Sequence, residues 1–191
     1  MNVFDFDGTI YDGDSTADFY LFLLRRHPGL LRDVPALGVA AVKRKLGKMT
    51  LTEMKNQLYT FIPKIPNMNA ELELFWKTHM CNIMSWYLLQ RESTDVVISA
   101  SPEFLLQIPC KTLGWECLIA SDVDIRTGKY HGLNCKGEEK VKRFRKLYPN
   151  AHIDAFYSDS WSDLPLAKLA DRAYLVKHRM LQPWNTKKAH K

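Results

Sequence analysis

Two aspartates stand two residues apart near the start of the chain, in Asp5-Phe6-Asp7-Gly8-Thr9. On a fully extended strand such a pair faces opposite ways. If the strand ends at Asp5, the turn that follows brings both carboxylates to one place. Gly8 lets the main chain approach an anion closely. One carboxylate could then attack phosphorus and carry the phosphoryl group as an acyl phosphate. The other could move the proton of the leaving oxygen, and later that of water. A hard cation would offset the repulsion between carboxylate and phosphate. Taken alone, the pentapeptide also fits a capped turn with two solvated acids.

Three further pieces follow in chain order. Ser99-Ala100-Ser101 offers hydroxyls and backbone N–H groups that suit a phosphate oxygen. It also fits a plain helix start, with Ser101 as N-cap and Pro102 in the first turn. Cys135-Lys136-Gly137-Glu138-Glu139-Lys140 supplies the fixed cation that phosphoryl transfer needs. Lys140 flanks the apolar stripe Val141, Phe144, Tyr148 and could reach inward, whereas Lys142 to Lys146 read as a solvated helix face. In Tyr157-Ser158-Asp159-Ser160-Trp161-Ser162-Asp163 two acids stand four apart. They suit a hard cation, and Asp163 also suits the N-cap of the next helix.

These residues need a scaffold that gathers strand ends. Met1–Phe6, Asp95–Ser99, Cys117–Ala120, Ile153–Tyr157 and Ala173–Val176 read as short apolar strands. Helical patterns at Glu103–Leu113, Gly137–Tyr148 and Leu164–Ala170 separate them. Alternation of this kind predicts an α/β fold, a Rossmann-like parallel sheet covered on both faces. The motifs at Asp5, Ser99 and Asp159 then fall at strands' carboxyl ends, where open parallel sheets bind ligands, while Lys140 stands at the start of a helix. Asp122–Gly132 reads as a short hairpin excursion. From Asp12 to about Arg91 only helix and turn signals appear. The expected organisation is a catalytic core of residues 1–11 plus 92–191 and an inserted α-helical cap of residues 12–91. Gly13 would be the cap's hinge.

Composition narrows the rest. The 191 residues carry a net charge of +6, which favours anionic partners. The four cysteines, Cys81, Cys110, Cys117 and Cys135, include no C-x-x-C pair, which reads as a reducing compartment. Acidic residues arrive at Asp5, so the start does not look like a signal peptide, and no apolar run reaches the ~20 residues of a membrane span. A cytoplasmic location follows as the expectation. The polar tail Asn185–Lys191 reads as disordered.

In this order, the four pieces resemble the haloacid dehalogenase superfamily of phosphatases, and the helical insertion resembles the cap of its phosphoserine phosphatase-like branch. The resemblance implies a role for each residue. Asp5 would be the nucleophile and a ligand of Mg2+. Asp7 would be the general acid/base and bind the metal through its carbonyl. Asp159 would be a metal ligand supported by Asp163. Lys140 would clamp the phosphate, with Lys136 as the competing choice. Ser99 would place its hydroxyl on the phosphate, with Ser101 as fallback. Thr9, Ala100 and the cap-linker residue Asp14 complete the expected substrate-binding set.

The sequence departs from that branch in two places. It has Ser99-Ala100-Ser101 where the branch has Ser-Gly-Gly, and Leu58 at the expected place of a cap arginine that binds the substrate carboxylate. Phosphoserine is therefore expected to be a poor substrate. Leu23-Leu24-Arg25-Arg26-His27-Pro28 and Tyr157-Ser158-Asp159-Ser160 are also similar to bacterial phosphatidylglycerophosphatases.

The leading expectation is a phosphomonoesterase acting on a small phosphate ester. The alternative is a lipid-phosphate phosphatase at the membrane surface, with Phe19–Lys45 in peripheral contact with anionic lipid. Nucleic-acid binding without catalysis leaves the four ordered motifs unexplained.

Overall fold

The computed structural model describes residues 1–185, so most of the tail Asn185–Lys191 lies outside the described residues. The sheet is built around β1 (Asn2–Phe4), which pairs in parallel with β2 (Val96–Pro102) on one side and β4 (Ile153–Ser158) on the other. Outside them lie β3 (Cys117–Ser121), parallel to β2, and β5 (Ala170–Lys177), parallel to β4. Strand order is therefore β3-β2-β1-β4-β5, with one more strand at the β5 edge. That strand, β6 (Met180–Pro183), runs antiparallel to β5 across a tight turn at His178 and Arg179, both at positive φ. The sequence reading has no counterpart for it. Four residues ending in proline carry little strand signal, and an edge position tolerates the proline.

The side chains of β1 and β2 alternate between two apolar layers. Val3, Val96 and Ile98 pack with Phe144 and Leu166, from helices α7 (Glu138–Leu147) and α8 (Leu164–Ala167). Phe4 and Val97 pack the other way, with Leu105 and Leu106 of α6 (Glu103–Leu113). The period of two that defines a strand thus places one residue on each face. Helix α6 spans the residues expected and stops at Gly114, whose φ of +71° is the left-handed C-cap that glycine adopts without strain. Helix α8 is shorter than expected because β5 begins at Ala170.

Five α-helices lie between β1 and β2. They are α1 (Ser15–Arg26), α2 (Val34–Lys45), α3 (Leu51–Leu58), α4 (Met68–His79) and α5 (Ser85–Gln90). Asp14 caps α1 by accepting from the Ala17 N–H, Asn67 caps α4, and Thr50 with Glu53 form a reciprocal capping box on α3. Helices α1 and α4 are seated on the core. Phe19, Leu23, Phe75 and Trp76 belong to the same buried cluster as Phe4 and Phe6, and the Trp76 Nε1–H donates to the Leu105 carbonyl at 2.6 Å. Each such side chain contributes roughly 1.5–3 kcal/mol by leaving water.

Candidate active site

The chain turns back on itself beside β1: β2 and β3 extend the sheet one way, β4 and β5 the other. At the carboxyl ends of these strands lies a cavity of about 840 Å³, roofed by α1 and α3. Asp5 sits at its base, directly after β1, with its N–H on the Tyr157 carbonyl at 2.8 Å. The turn that follows brings Asp7 into the same cavity.

Asp5 is 7% exposed, and its Oδ1 accepts a hydrogen bond from Lys140 Nζ at 2.8 Å. The same Nζ lies 2.6 Å from Asp163 Oδ2, which also accepts from the Ser158 hydroxyl at 2.9 Å. Lys140 is 1% exposed. Burial disfavours its charge, but the two carboxylates outweigh burial and hold it above the ordinary lysine range. Burial pushes Asp5 up to about 7; Lys140 pulls it back, while Asp163 and Asp7 push it further.

Asp7 is held at both oxygens. The Ser15 N–H donates to Oδ1 at 2.7 Å, and the Ser101 hydroxyl donates to Oδ2 at 2.5 Å. Burial raises its pKa, and these two bonds oppose the rise. Gly8 is needed for a second reason besides its φ of +69°. A Cβ there would meet Asp159 Oδ2 at 2.2 Å, so the Asp159 carboxylate lies against the bare backbone of the first motif.

The remaining sequence candidates divide. Asp14, Ala100, Ser101 and Lys136 line the cavity together with Asp5, Asp7, Lys140, Asp159 and Asp163. Ser99 and Thr9 do not line it. Both are fully buried, and the Ser99 Oγ accepts the Ser101 N–H at 3.0 Å. Two capping expectations are corrected. Ser101 lies in β2, and its hydroxyl goes to Asp7, not to the start of α6. Asp163 makes no side-chain cap on α8 because Lys140 takes its carboxylate. In the basic run after Lys140, Arg143 donates to the Ala120 carbonyl in β3 and to that of Leu133, and Arg145 to that of Ala151, so these two side chains brace neighbouring backbone.

Lys55 is the residue that sequence reasoning missed. It projects from α3 into the cavity, and its Nζ donates to the Ala100 carbonyl at 2.9 Å and to Asn134 Oδ1 at 3.0 Å. Burial pushes it down to about 8, against the pull of Asp14 and Asp7. Leu58, one turn further on, lines the same wall with Leu21 and Met54.

The donor set fits a hard cation. Asp5, Asp7 and Asp159 offer only oxygen, as magnesium requires. The Asp7 carboxylate carries one hydrogen bond on each oxygen, from Ser15 and Ser101.

The raised pKa of Asp5 has a consequence for stability. Its folded value, about 7, lies above the ordinary 3.8, so the folded chain holds the proton more tightly than the unfolded chain. That contribution is complete below the ordinary value and is lost as pH rises through about 7. In metal-free protein the melting temperature should therefore fall as pH rises from about 5 to 8, and Asp5→Asn should flatten the slope. Calorimetry in EDTA checks this; a melting temperature that rises over that range contradicts it.

The profile of the haloacid dehalogenase-like hydrolases matches residues 3–168. The chain belongs to that family. Protein CicA of Caulobacter vibrioides is 27% identical over 190 residues, spanning 88% of this chain and 82% of that protein. The probable phosphatase Rv3661 of Mycobacterium tuberculosis is 36% identical over 89 residues, 42% of this chain and 31% of that one. Among solved structures, a probable phosphoserine phosphatase from Vibrio cholerae superposes with a TM-score of 0.66 at 12% identity, over 90% of this chain and 55% of that one. The last of these is a likeness of fold. The chain is an enzyme, a phosphatase of the haloacid dehalogenase type.

Proposed function

We propose that this phosphatase is a magnesium-dependent phosphomonoester hydrolase that works through an aspartyl-phosphate on Asp5 and acts on a small phosphate ester. The observation that carries the reading is the floor of the cavity. Asp5 keeps one oxygen free of Lys140, and Asp7 is fixed in the same cavity by Ser101 and Ser15. The free Asp5 oxygen attacks phosphorus. Lys140 neutralises charge on the transferring group, and Asp7 gives its proton to the leaving oxygen. Asp7 then takes a proton from the water that hydrolyses the acyl phosphate. Magnesium, held by Asp5, the Asp7 carbonyl and Asp159, would supply further charge neutralisation when bound. Asp163 serves by orienting Lys140.

In this reading residues 12–91 are the cap. Helices α1 and α4 are anchored in the core's apolar cluster, so the part left to open and close is α2 with α3. Lys55 latches α3 to Ala100 and Asn134 and spends two of its three N–H groups on protein acceptors. The wall facing the leaving group is then largely apolar, which favours an uncharged ester over phosphoserine. The test is a substrate screen with magnesium and with EDTA. Activity should require magnesium, and kcat/KM should be higher for a neutral aryl phosphate than for phosphoserine. Leu58→Arg should narrow that gap. Full activity in excess EDTA contradicts the metal, and a wild-type preference for phosphoserine contradicts the reading of the wall.

One observation favours a second reading, a phosphate on a lipid headgroup. Leu31, Val34, Val39, Val42 and Leu46 are exposed on one short stretch of the cap, and Leu21 is both exposed and part of the cavity wall. Residues 19–50 hold seven Lys and Arg against Asp33 alone, which equals the net charge of the whole chain, +6. Apolar residues among cations suit an anionic interface. Among the described residues no helix is long and apolar enough to cross a membrane, so such contact would be peripheral. Co-sedimentation with anionic but not neutral vesicles, with faster turnover of a vesicle-borne phosphate, would select this reading. No binding to either kind of vesicle would remove it.

A further inference from the structure

We propose that Ser101 is the positioning residue of Asp7, and that Thr16, at the start of α1, fixes the Ser101 hydroxyl. This rests on the reading of Asp7 as the general acid. Ser101 is 3% exposed and lines the cavity at the end of β2. Its Oγ lies 2.5 Å from Asp7 Oδ2 and 2.9 Å from Thr16 Oγ1. Its N–H is held by Ser99 Oγ at 3.0 Å, so the backbone that carries the hydroxyl is itself pinned.

The two oxygens of Asp7 have different partners, and the difference has chemical content. The Ser15 N–H can only donate, which keeps Oδ1 an acceptor. A hydroxyl donates or accepts. When Asp7 is ionised, Ser101 donates to Oδ2 and Thr16 donates to Ser101. When Asp7 carries its proton on Oδ2, Ser101 still donates to that oxygen from one side and the proton lies on the other, where it can pass to the leaving oxygen. Both states keep the same heavy-atom positions. The proton that Asp7 exchanges with the leaving oxygen is therefore assigned to Oδ2. Helix α1 takes part through Thr16 in its first turn, and because α1 is anchored in the core this contact stays fixed.

This role differs from binding phosphate, and kinetics separate the two. A good leaving group such as 4-nitrophenolate departs without a proton, whereas an alkoxide needs one. The measured quantity is kcat/KM, which covers steps only up to departure of the leaving group. It is compared for 4-nitrophenyl phosphate and for a simple alkyl phosphate. Asp7→Asn should lose roughly 10²–10⁴-fold on the alkyl ester and far less on the aryl ester. Ser101→Ala should show the same bias at roughly tenfold to a hundredfold, at or below the low end of what loss of the acid itself costs. Ser101→Thr should recover most of the loss. Thr16→Val, close in shape, should show a smaller loss with the same bias and guards against a folding defect in the serine variant. Inhibition by inorganic phosphate should weaken little in Ser101→Ala.

If Ser101→Ala loses equally on both esters, or binds inorganic phosphate much more weakly, Ser101 is a phosphate ligand and the proposal fails. If Asp7→Asn itself shows no bias toward the alkyl ester, the general-acid reading fails first.

Discussion

Asp5→Asn is expected to abolish turnover while leaving the fold intact. In the proposed mechanism an Asp5 carboxylate oxygen is the attacking atom, and an amide in its place cannot form an acyl phosphate. Loss of the covalent route should lower kcat by ~10³-fold or more, equivalent to at least ~4 kcal/mol of barrier. The variant should still fold for reasons visible around Asp5. The backbone bond to Tyr157 does not depend on the side chain. An amide oxygen can still accept from Lys140, and Lys140 keeps Asp163 at 2.6 Å. The experiment pairs steady-state turnover with circular dichroism and acid-quench labelling from a radioactive phosphate ester. Wild-type protein should trap label, and Asp5→Asn should trap none. A purified, folded Asp5→Asn enzyme with wild-type activity would falsify the nucleophile assignment.

Much of this site is legible in the sequence because strand ends and chemistry coincide. Asp5, Ala100 and Asp159 each fall at or just after a strand rich in apolar or β-branched residues, and parallel alternation places such ends along one edge. What could not be read was the choice between near neighbours. Lys136 and Lys140 differ by one helical turn, and only the packing of Phe144 fixes which side of α7 faces the sheet. Ser99 and Ser101 lie two apart, which on a regular strand puts them on the same side. Near Ser101 the β2–β3 register shifts, and Ser101 alone of the two lines the cavity. Lys55 was invisible for another reason. Its acceptors, the Ala100 carbonyl and Asn134, are 45 and 79 residues away, and no local periodicity encodes that meeting. The seating of α4 on α6, and of α1 against α4 and β2, is equally non-local. Their apolar positions reveal a buried face but not what buries it.

Lys140→Met should be damaging twice over, and the two effects can be separated. Lys140 is buried, and its ammonium lies between Asp5 and Asp163. Removing it leaves two buried carboxylates without their cation, which typically costs ~3–5 kcal/mol. Against the ~5–15 kcal/mol of an ordinary domain that is a large share. Adding Asp163→Asn removes one of the stranded charges and should return part of the lost stability. It should not return activity, because the transferring phosphoryl group still lacks its fixed cation, worth roughly 10²–10³ in kcat at comparable sites. Lys136 is the contrast. It lines the rim of the cavity and is exposed, so Lys136→Met should leave stability within about 0.5 kcal/mol of wild type. Its effect on turnover should be confined to a modest rise in KM. Urea unfolding and steady-state kinetics on Lys140→Met, Lys140→Met with Asp163→Asn, and Lys136→Met decide the matter. If the double variant recovers turnover along with stability, Lys140 serves only to neutralise Asp163. If Lys136→Met is the inactive one, the phosphate clamp is Lys136, and the buried lysine is structural.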